Sequence, residues 1–143
     1  MSARAVDVRV EIEGLRELRR DLRRLDGDGE WKAAIRGVNL RAANKVAATA
    51  RQSMLGASSP RAGHVAAGTI KGLAGQSSAS VSGGLASVPW YMGHEMGSAR
   101  YRQFPRRAAN GSHHIYPAIK RDMPAVIDMY RREMDLVVRR FFP

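Results

Sequence analysis

The chain has 143 residues, of which 44% are apolar and 26% charged, so it has the size and composition of one folded domain rather than of a disordered protein. It contains no cysteine, which excludes disulfides, thiolate zinc sites, iron–sulfur clusters and cysteine nucleophiles. Its apolar runs are far shorter than the ~20 residues that span a bilayer. The first residues include no apolar signal segment, so we expect synthesis in the cytoplasm and no membrane contact.

The charge is strongly positive and unevenly distributed. Lysine and arginine number 24 against 13 acidic residues, a formal net charge of +11, and 20 of the 24 are arginine. Between Glu30 and Asp122 the only acid is Glu95. Such a surface attracts polyanions, and arginine suits bidentate contacts to phosphate, so nucleic acid is the first partner to consider. Equally, a GC-rich genome places arginine at tolerant surface positions.

The first part of the chain predicts a strand and two helices. Apolar residues at alternate positions predict a half-buried strand over residues 6–12. Leucines at spacings of three and four then predict a short amphipathic helix over 15–25. A longer helix is predicted over 31–54, with Gly56 as its stop. Its apolar stripe consists of Trp31, Ile35, Val38, Ala42, Val46 and Thr49.

The middle of the chain, residues 56–116, is rich in glycine, serine and alanine, and this composition predicts a region without helices. Short strands are predicted at residues 69–74, 79–82 and 85–88. Long loops rich in glycine and arginine are predicted at residues 53–65 and 97–112.

The end of the chain predicts a last strand over 114–117 and then a helix that starts at Asp122 or Met123, with Pro124 in its first turn. Its apolar stripe consists of Met123, Ile127, Tyr130, Met134, Val137 and Phe141. We therefore predict a single α+β domain over residues 1–143, in which a small antiparallel sheet is packed by a long central helix and a C-terminal helix.

Motifs for catalysis are absent from the sequence. His94-Glu95 begins like a zinc-protease helix, but Ser98 stands where the second histidine would be. His113 and His114 are adjacent, and in an extended segment adjacent side chains point to opposite faces. No phosphate-binding glycine loop or nucleophile elbow occurs. We therefore expect no enzymatic activity, no cofactor and no metal site.

An arginine-rich segment follows the candidate sheet. Four arginines alternate with two aromatic residues between positions 100 and 107, so the segment could hold phosphates and stack on bases. The candidate contacts to a DNA backbone or to another subunit are Arg100, Arg102, Arg106 and Arg107. In the alternative interpretation, Tyr101 and Phe104 anchor a surface loop and the arginines are solvated. No helix-turn-helix or RNA-recognition motif is present, so sequence-specific binding is not expected.

Three short motifs resemble one family. They are Val10-Glu-Ile-Glu-Gly-Leu-Arg-Glu-Leu, Val88-Pro-Trp-Tyr-Met-Gly-His-Glu-Met-Gly-Ser, and Ile115-Tyr-Pro-Ala-Ile before a C-terminal helix. With their order, they resemble the small head-to-tail joining proteins of long-tailed bacteriophages, also called neck or tail-completion proteins and typified by the gene-ten product of a lambdoid coliphage. The residues that fall on the central and closing motifs are Tyr91, Glu95, Gly97, Ser98, Tyr116, Pro117 and Ala118. Met96 stands where the family usually has an aromatic residue.

The resemblance implies a structural virion protein, made in the host cytoplasm, at the junction between head and tail. It implies a homo-oligomeric ring, six-fold or twelve-fold, through which the genome passes. The implied partners are a portal-side connector and a tail terminator or tail tube protein, with nonspecific contact to DNA in the lumen. A tail terminator or minor tail protein is the alternative within this class, and a basic, sequence-nonspecific nucleic-acid-binding protein is the alternative outside it.

Glu95 is expected to have a particular role because it is the one acid in a basic region. We expect it to form an internal or intersubunit pair with Arg100, Arg102 or Arg106, which would fix the start of the arginine-rich loop. The alternative is an ordinary surface carboxylate beside a turn.

Overall fold

Two antiparallel helices of 27 residues form the frame of the molecule: α1 spans Trp31–Ala57 and α4 spans Ile115–Phe141. A computed structural model describes residues 6–11, 17, 20–21, 24, 30–57, 60–75, 78–98, 104–106 and 112–141. At about 1.5 Å per residue each helix is about 40 Å long. Apolar side chains at the start of α1 pack against the end of α4, in a cluster that consists of Trp31, Ile35, Val38, Met134 and Val137.

Polar contacts link the helix pair along its length. They are Asn39 Oδ1 with Tyr130 Oη at 2.9 Å, Arg41 Nε with Glu133 Oε1 at 2.7 Å, Thr49 Oγ1 with Asp122 Oδ2 at 2.5 Å, and Ser53 Oγ with His114 Nδ1 at 2.7 Å. From residues 39 and 41 through 49 to 53 on α1, the partners run from 130 and 133 through 122 to 114 at the start of α4, as an antiparallel pair requires. These contacts fix the register of the two helices, because a shift by one turn would break all of them.

A three-stranded antiparallel sheet packs against the other side of α1. β1 spans Val6–Glu11, β2 spans Lys71–Ala74 and β3 spans Ser78–Gly83, in the order β1-β3-β2. A Cβ at Gly72 of β2 would lie 2.5 Å from Asn44 Oδ1 and 2.8 Å from the backbone of Ala43. Only glycine therefore allows β2 to approach α1 this closely.

The α+β fold class, the strand that begins at Val6 and the two strands in the 70s and early 80s are confirmed. The predicted stripe of α1 is also confirmed from Trp31 to Val46, all of which is buried, whereas Thr49 is half-buried. Of the predicted helix at 15–25, the described residues Glu17, Arg20, Asp21 and Arg24 are helical and exposed. Its four leucines lie outside the described residues.

The predicted loop at 53–65 is wrong, and so is the expectation that 56–116 holds no helix. α1 continues through Gly56 to Ala57, and α2 spans Pro60–Ala67. α1 continues because Met54 extends its buried face one turn beyond Ala50, and both residues are fully buried. Proline suits the first position of α2, where no backbone donor is needed. A short third helix, α3, spans Tyr91–Met96.

The predicted strands at 85–88 and 114–117 are also wrong. The first is a turn, in which Val88 N donates to Leu85 O at 3.0 Å. The second is the start of α4, which begins at Ile115 rather than at Asp122, so that Pro124 lies inside the helix. In the stripe predicted for this helix, Met134 and Val137 are buried but Ile127 is 40% exposed.

The predicted loop at 97–112 falls mostly outside the described residues, which include only 97–98, 104–106 and 112 of it. Within the described ranges, no helix combines the length and the apolarity needed to cross a membrane.

Candidate functional site

Glu95 is the centre of the site, and it is completely buried on α3. This short helix ends at Gly97, whose φ of 78° is in the left-handed region that glycine adopts without strain. Tyr91, one turn before Glu95, is also completely buried and donates its hydroxyl hydrogen to Glu95 Oε2 at 3.3 Å. The burial of both side chains places the carboxylate inside the chain, not on its surface.

The carboxylate of Glu95 caps the N-terminus of α4. Its Oε1 accepts a hydrogen bond from Ile115 N at 2.9 Å and another from Ser112 Oγ. Ser112 Oγ in turn accepts from Tyr116 N at 3.0 Å, and Ala118 N donates to the backbone of His114 at 3.0 Å. Every backbone donor in the first turn of α4 is therefore satisfied, since Pro117 has none. The negative charge also lies at the positive end of the helix dipole.

Two histidines surround this cap. His114 is buried, and its Nδ1 lies 2.7 Å from Ser53 Oγ of α1, while a further hydrogen bond joins it to the backbone of His94. Burial lowers the pKa of His114 below its ordinary value, against the opposing charge of Glu95, and burial also lowers the pKa of His94. Both rings are therefore neutral at pH 7. Burial together with Glu95 raises the pKa of Tyr91, so its hydroxyl stays a donor.

The arginine-rich segment is held at its midpoint by this same unit. The ring of Phe104 lies over Gly93, where a Cβ would come within 2.5 Å of it, and forms an edge-to-face contact with His94 at 5.1 Å between ring centres. Pro105 O accepts from Ser98 N at 2.8 Å. His113 Nε2 lies 2.6 Å from Arg106 O. Phe104 is therefore engaged within the chain and is not a free platform for a base.

The predicted site residues fall into two groups. Tyr91, Glu95, Gly97 and Ser98 lie on or directly after α3, and Tyr116, Pro117 and Ala118 lie in the first turn of α4. The hydrogen bond from Ile115 to Glu95 brings these two groups together. Of the four candidate arginines, Arg106 is exposed, whereas Arg100, Arg102 and Arg107 lie outside the described residues.

No arginine among the described residues pairs with Glu95: Arg106 is exposed, and Arg100 and Arg102 lie outside the described residues. The groups that donate to its carboxylate are two hydroxyls and one backbone amide. Glu95 is completely buried within the chain, so the alternative of an ordinary surface carboxylate is wrong. The intersubunit role stays a prediction. That Glu95 fixes the start of the loop stays a prediction.

Sequence reasoning missed Ser53, Gly93, Ser112 and His114. A signal exists for Ser112, since a serine shortly before an apolar helical stripe marks a helix start, but Asp122 gives the stronger local signal because proline follows it closely. Ser53 and Gly93 carried no signal, because their roles depend on contacts with residues 61 and 11 positions away in sequence.

The arrangement binds structural elements together. The buried hydroxyl and imidazole groups are engaged in hydrogen bonds. In the part of the chain that the structure describes, no three histidine or carboxylate side chains are grouped to hold a metal ion. No protein-family model, curated protein or solved structure matches this chain.

Proposed function

We propose that this chain is a structural subunit of the head-to-tail junction of a long-tailed bacteriophage, and that it performs no chemistry. The observation that carries the proposal is the hydrogen bond from Ile115 N to Glu95 Oε1, because it joins the central and closing motifs of the family across 20 residues of sequence. Two short motifs that match a family by chance would not be expected to contact each other in the folded chain. Two motifs that form one buried, fully satisfied unit support a shared fold.

The first two residues of the opening motif lie in the sheet. The motif begins at the end of β1, where Val10 pairs with Ala79 and Glu11 pairs with Ser78 of β3. Its remaining residues lie mostly outside the described ranges. The resemblance implies a strand, a short helix, a long helix, a small sheet and a last helix, and β1, α1, the strands β2 and β3, and α4 follow one another in that order. α2 and α3 are additional short helices. This agreement supports the proposal at the level of the fold.

In this proposal the subunit forms a closed homo-oligomeric ring in the virion, six-fold or twelve-fold, between a portal-side connector and a tail terminator or tail tube protein. The net charge of +11 suits a ring through which DNA passes, since contact with a phosphate backbone needs no sequence preference. The nucleic-acid alternative that relied on aromatic stacking is weakened, because Phe104 packs on Gly93 and His94.

The test is negative-stain microscopy of lysates from the parent phage after deletion of this reading frame, with the wild-type gene supplied on a plasmid as control. We expect DNA-filled heads separate from finished tails, and joined particles again in the complemented control. Joined, infectious particles from the deletion strain would refute the proposal. Tails of irregular length would favour a tail terminator instead.

A further inference from the structure

The outward face of α4 carries two pairs of cations. Lys120 with Arg121 and Arg131 with Arg132 are all exposed. The pairs are eleven residues apart, which is about three turns of an α-helix, so they lie on the same side at a separation of about 16 Å. Between them the helix presents Pro124 and Asp128.

The ion pairs of the helix leave this face positive. Three of the four acids of α4 are engaged: Asp122 with Thr49, Glu133 with Arg41 and Asp135 with Arg139. None of the four cations forms an ion pair with any described residue, although Asp128 is three and four positions from Arg131 and Arg132. Four cations and one free acid give this face a formal charge of +3. A solvated face that only keeps a protein soluble usually mixes both signs.

We propose that this face of α4 binds the phosphate backbone of duplex DNA. An α-helix fits a major groove about 12 Å wide, and two cation pairs about 16 Å apart can reach the phosphates on both sides of such a groove. Guanidinium groups bind phosphate oxygens in a bidentate manner, as they also bind carboxylates. The choice of a phosphodiester therefore rests on the spacing of the two cation pairs and on the net charge of +11. In the proposed junction this face would line the channel, and that placement rests on the proposed function. The binding itself does not.

The experiment measures the fluorescence anisotropy of a labelled duplex of about 24 bp, of arbitrary sequence, with the purified full-length chain between 50 and 200 mM salt. Four phosphate contacts correspond to a slope of log affinity against log salt of about −3.6, and to an affinity loss of about 150-fold over that range. The test variant replaces Lys120, Arg121, Arg131 and Arg132 by alanine. The matched control replaces Arg139 and Arg140, exposed on the same helix but ion-paired with Asp135 and Glu30.

We expect the fourfold variant to lose most of this salt dependence and the control to keep it. Asp128→Asn is expected to raise the affinity about threefold, because it removes a negative charge from between the cation pairs. If the fourfold variant is not folded by circular dichroism, the two double variants, one for each pair, replace it. Each is expected to reduce the steepness of the slope by about 2.

Equal slopes for the wild type, the fourfold variant and the control would overturn the inference. Competition by polyglutamate as strong as that by unlabelled DNA would also overturn it, in favour of an acidic protein partner. The outcome is independent of the deletion experiment. A chain that binds DNA while its deletion leaves joined particles intact refutes only the junction role, and a deletion that separates heads from tails with no DNA binding refutes only this inference.

Discussion

Replacement of Glu95 by alanine should destabilise the fold more than the loss of any other single carboxylate that the structure describes. The change leaves the buried amide of Ile115 without an acceptor, which costs about 1–3 kcal/mol. It also removes a charged acceptor from the hydroxyls of Tyr91 and Ser112 and leaves a small cavity. Relief of the carboxylate's own desolvation offsets part of this. We expect a net loss of about 3–5 kcal/mol in the free energy of unfolding.

Glu95→Gln provides the graded comparison. Its amide oxygen can still accept from Ile115 N, so the expected loss is about 1–2 kcal/mol. For a chain of this size 1 kcal/mol corresponds to about 3 °C in Tm, so circular dichroism should show a decrease of about 10–15 °C for alanine and about 3–6 °C for glutamine.

The control for both variants is Asp135→Asn, whose carboxylate is 57% exposed and bonds an arginine that is 76% exposed. A surface pair of this kind contributes about 0–1 kcal/mol. If Glu95→Ala melts within error of Asp135→Asn, the carboxylate does not cap α4, and the inferred link between the two motifs is wrong.

Three further outcomes are expected. Gly93→Ala should displace the ring of Phe104, because the added Cβ would overlap it. Trypsin should then cleave at Arg106 faster than in the wild type. An unchanged cleavage rate would contradict the contact between Phe104 and Gly93. Burial lowers the pKa of His94 and His114, so below pH 6.5 the unfolded chain binds more protons than the folded one. The free energy of unfolding in urea should therefore fall from pH 7 to pH 5.5. A free energy that does not change with pH would contradict this. Tyr130→Phe should lower the free energy of unfolding in urea by about 1–2 kcal/mol, because the fully buried Asn39 loses a hydrogen-bond partner. The lost group is a phenol whose pKa burial raises to about 12. An unchanged free energy of unfolding would contradict this contact.

Elements with a clear period could be predicted from the sequence. The strand from Val6 alternates with period two, and the stripe from Trp31 to Val46 repeats at helical spacing because it lies between α4 and the sheet. Gly56 suggested a helix end, but Met54 continues the buried face beyond it, and packing outweighs the preference of one exposed glycine.

The start of α4 could not be predicted in the same way. A helix start is read from local signals, and Asp122 before Pro124 is such a signal. The actual start depends on a side chain from another element, since Glu95 satisfies the amide of Ile115 across 20 residues. The unusual position of Glu95 in a basic region could be seen in the sequence. Its partners could not, because hydroxyls and a backbone amide carry no charge signal.

A buried carboxylate is a costly way to join two helices, since its desolvation cancels much of what its hydrogen bonds contribute. An apolar contact of the same size would hold α3 and α4 together at least as strongly. It would not fix their geometry, because apolar surfaces can slide and a carboxylate with three directed donors cannot. Gly93 of α3, and Ser98 just after it, also contact the midpoint of the arginine-rich segment, Phe104 and Pro105. Glu95 therefore fixes the orientation of α3, and with it the position of Phe104 and Pro105, relative to the first cation pair of α4, which begins only five residues beyond Ile115. If the outward face of α4 binds DNA as proposed, this fixed geometry holds the backbone of Arg106 at a constant position relative to that face.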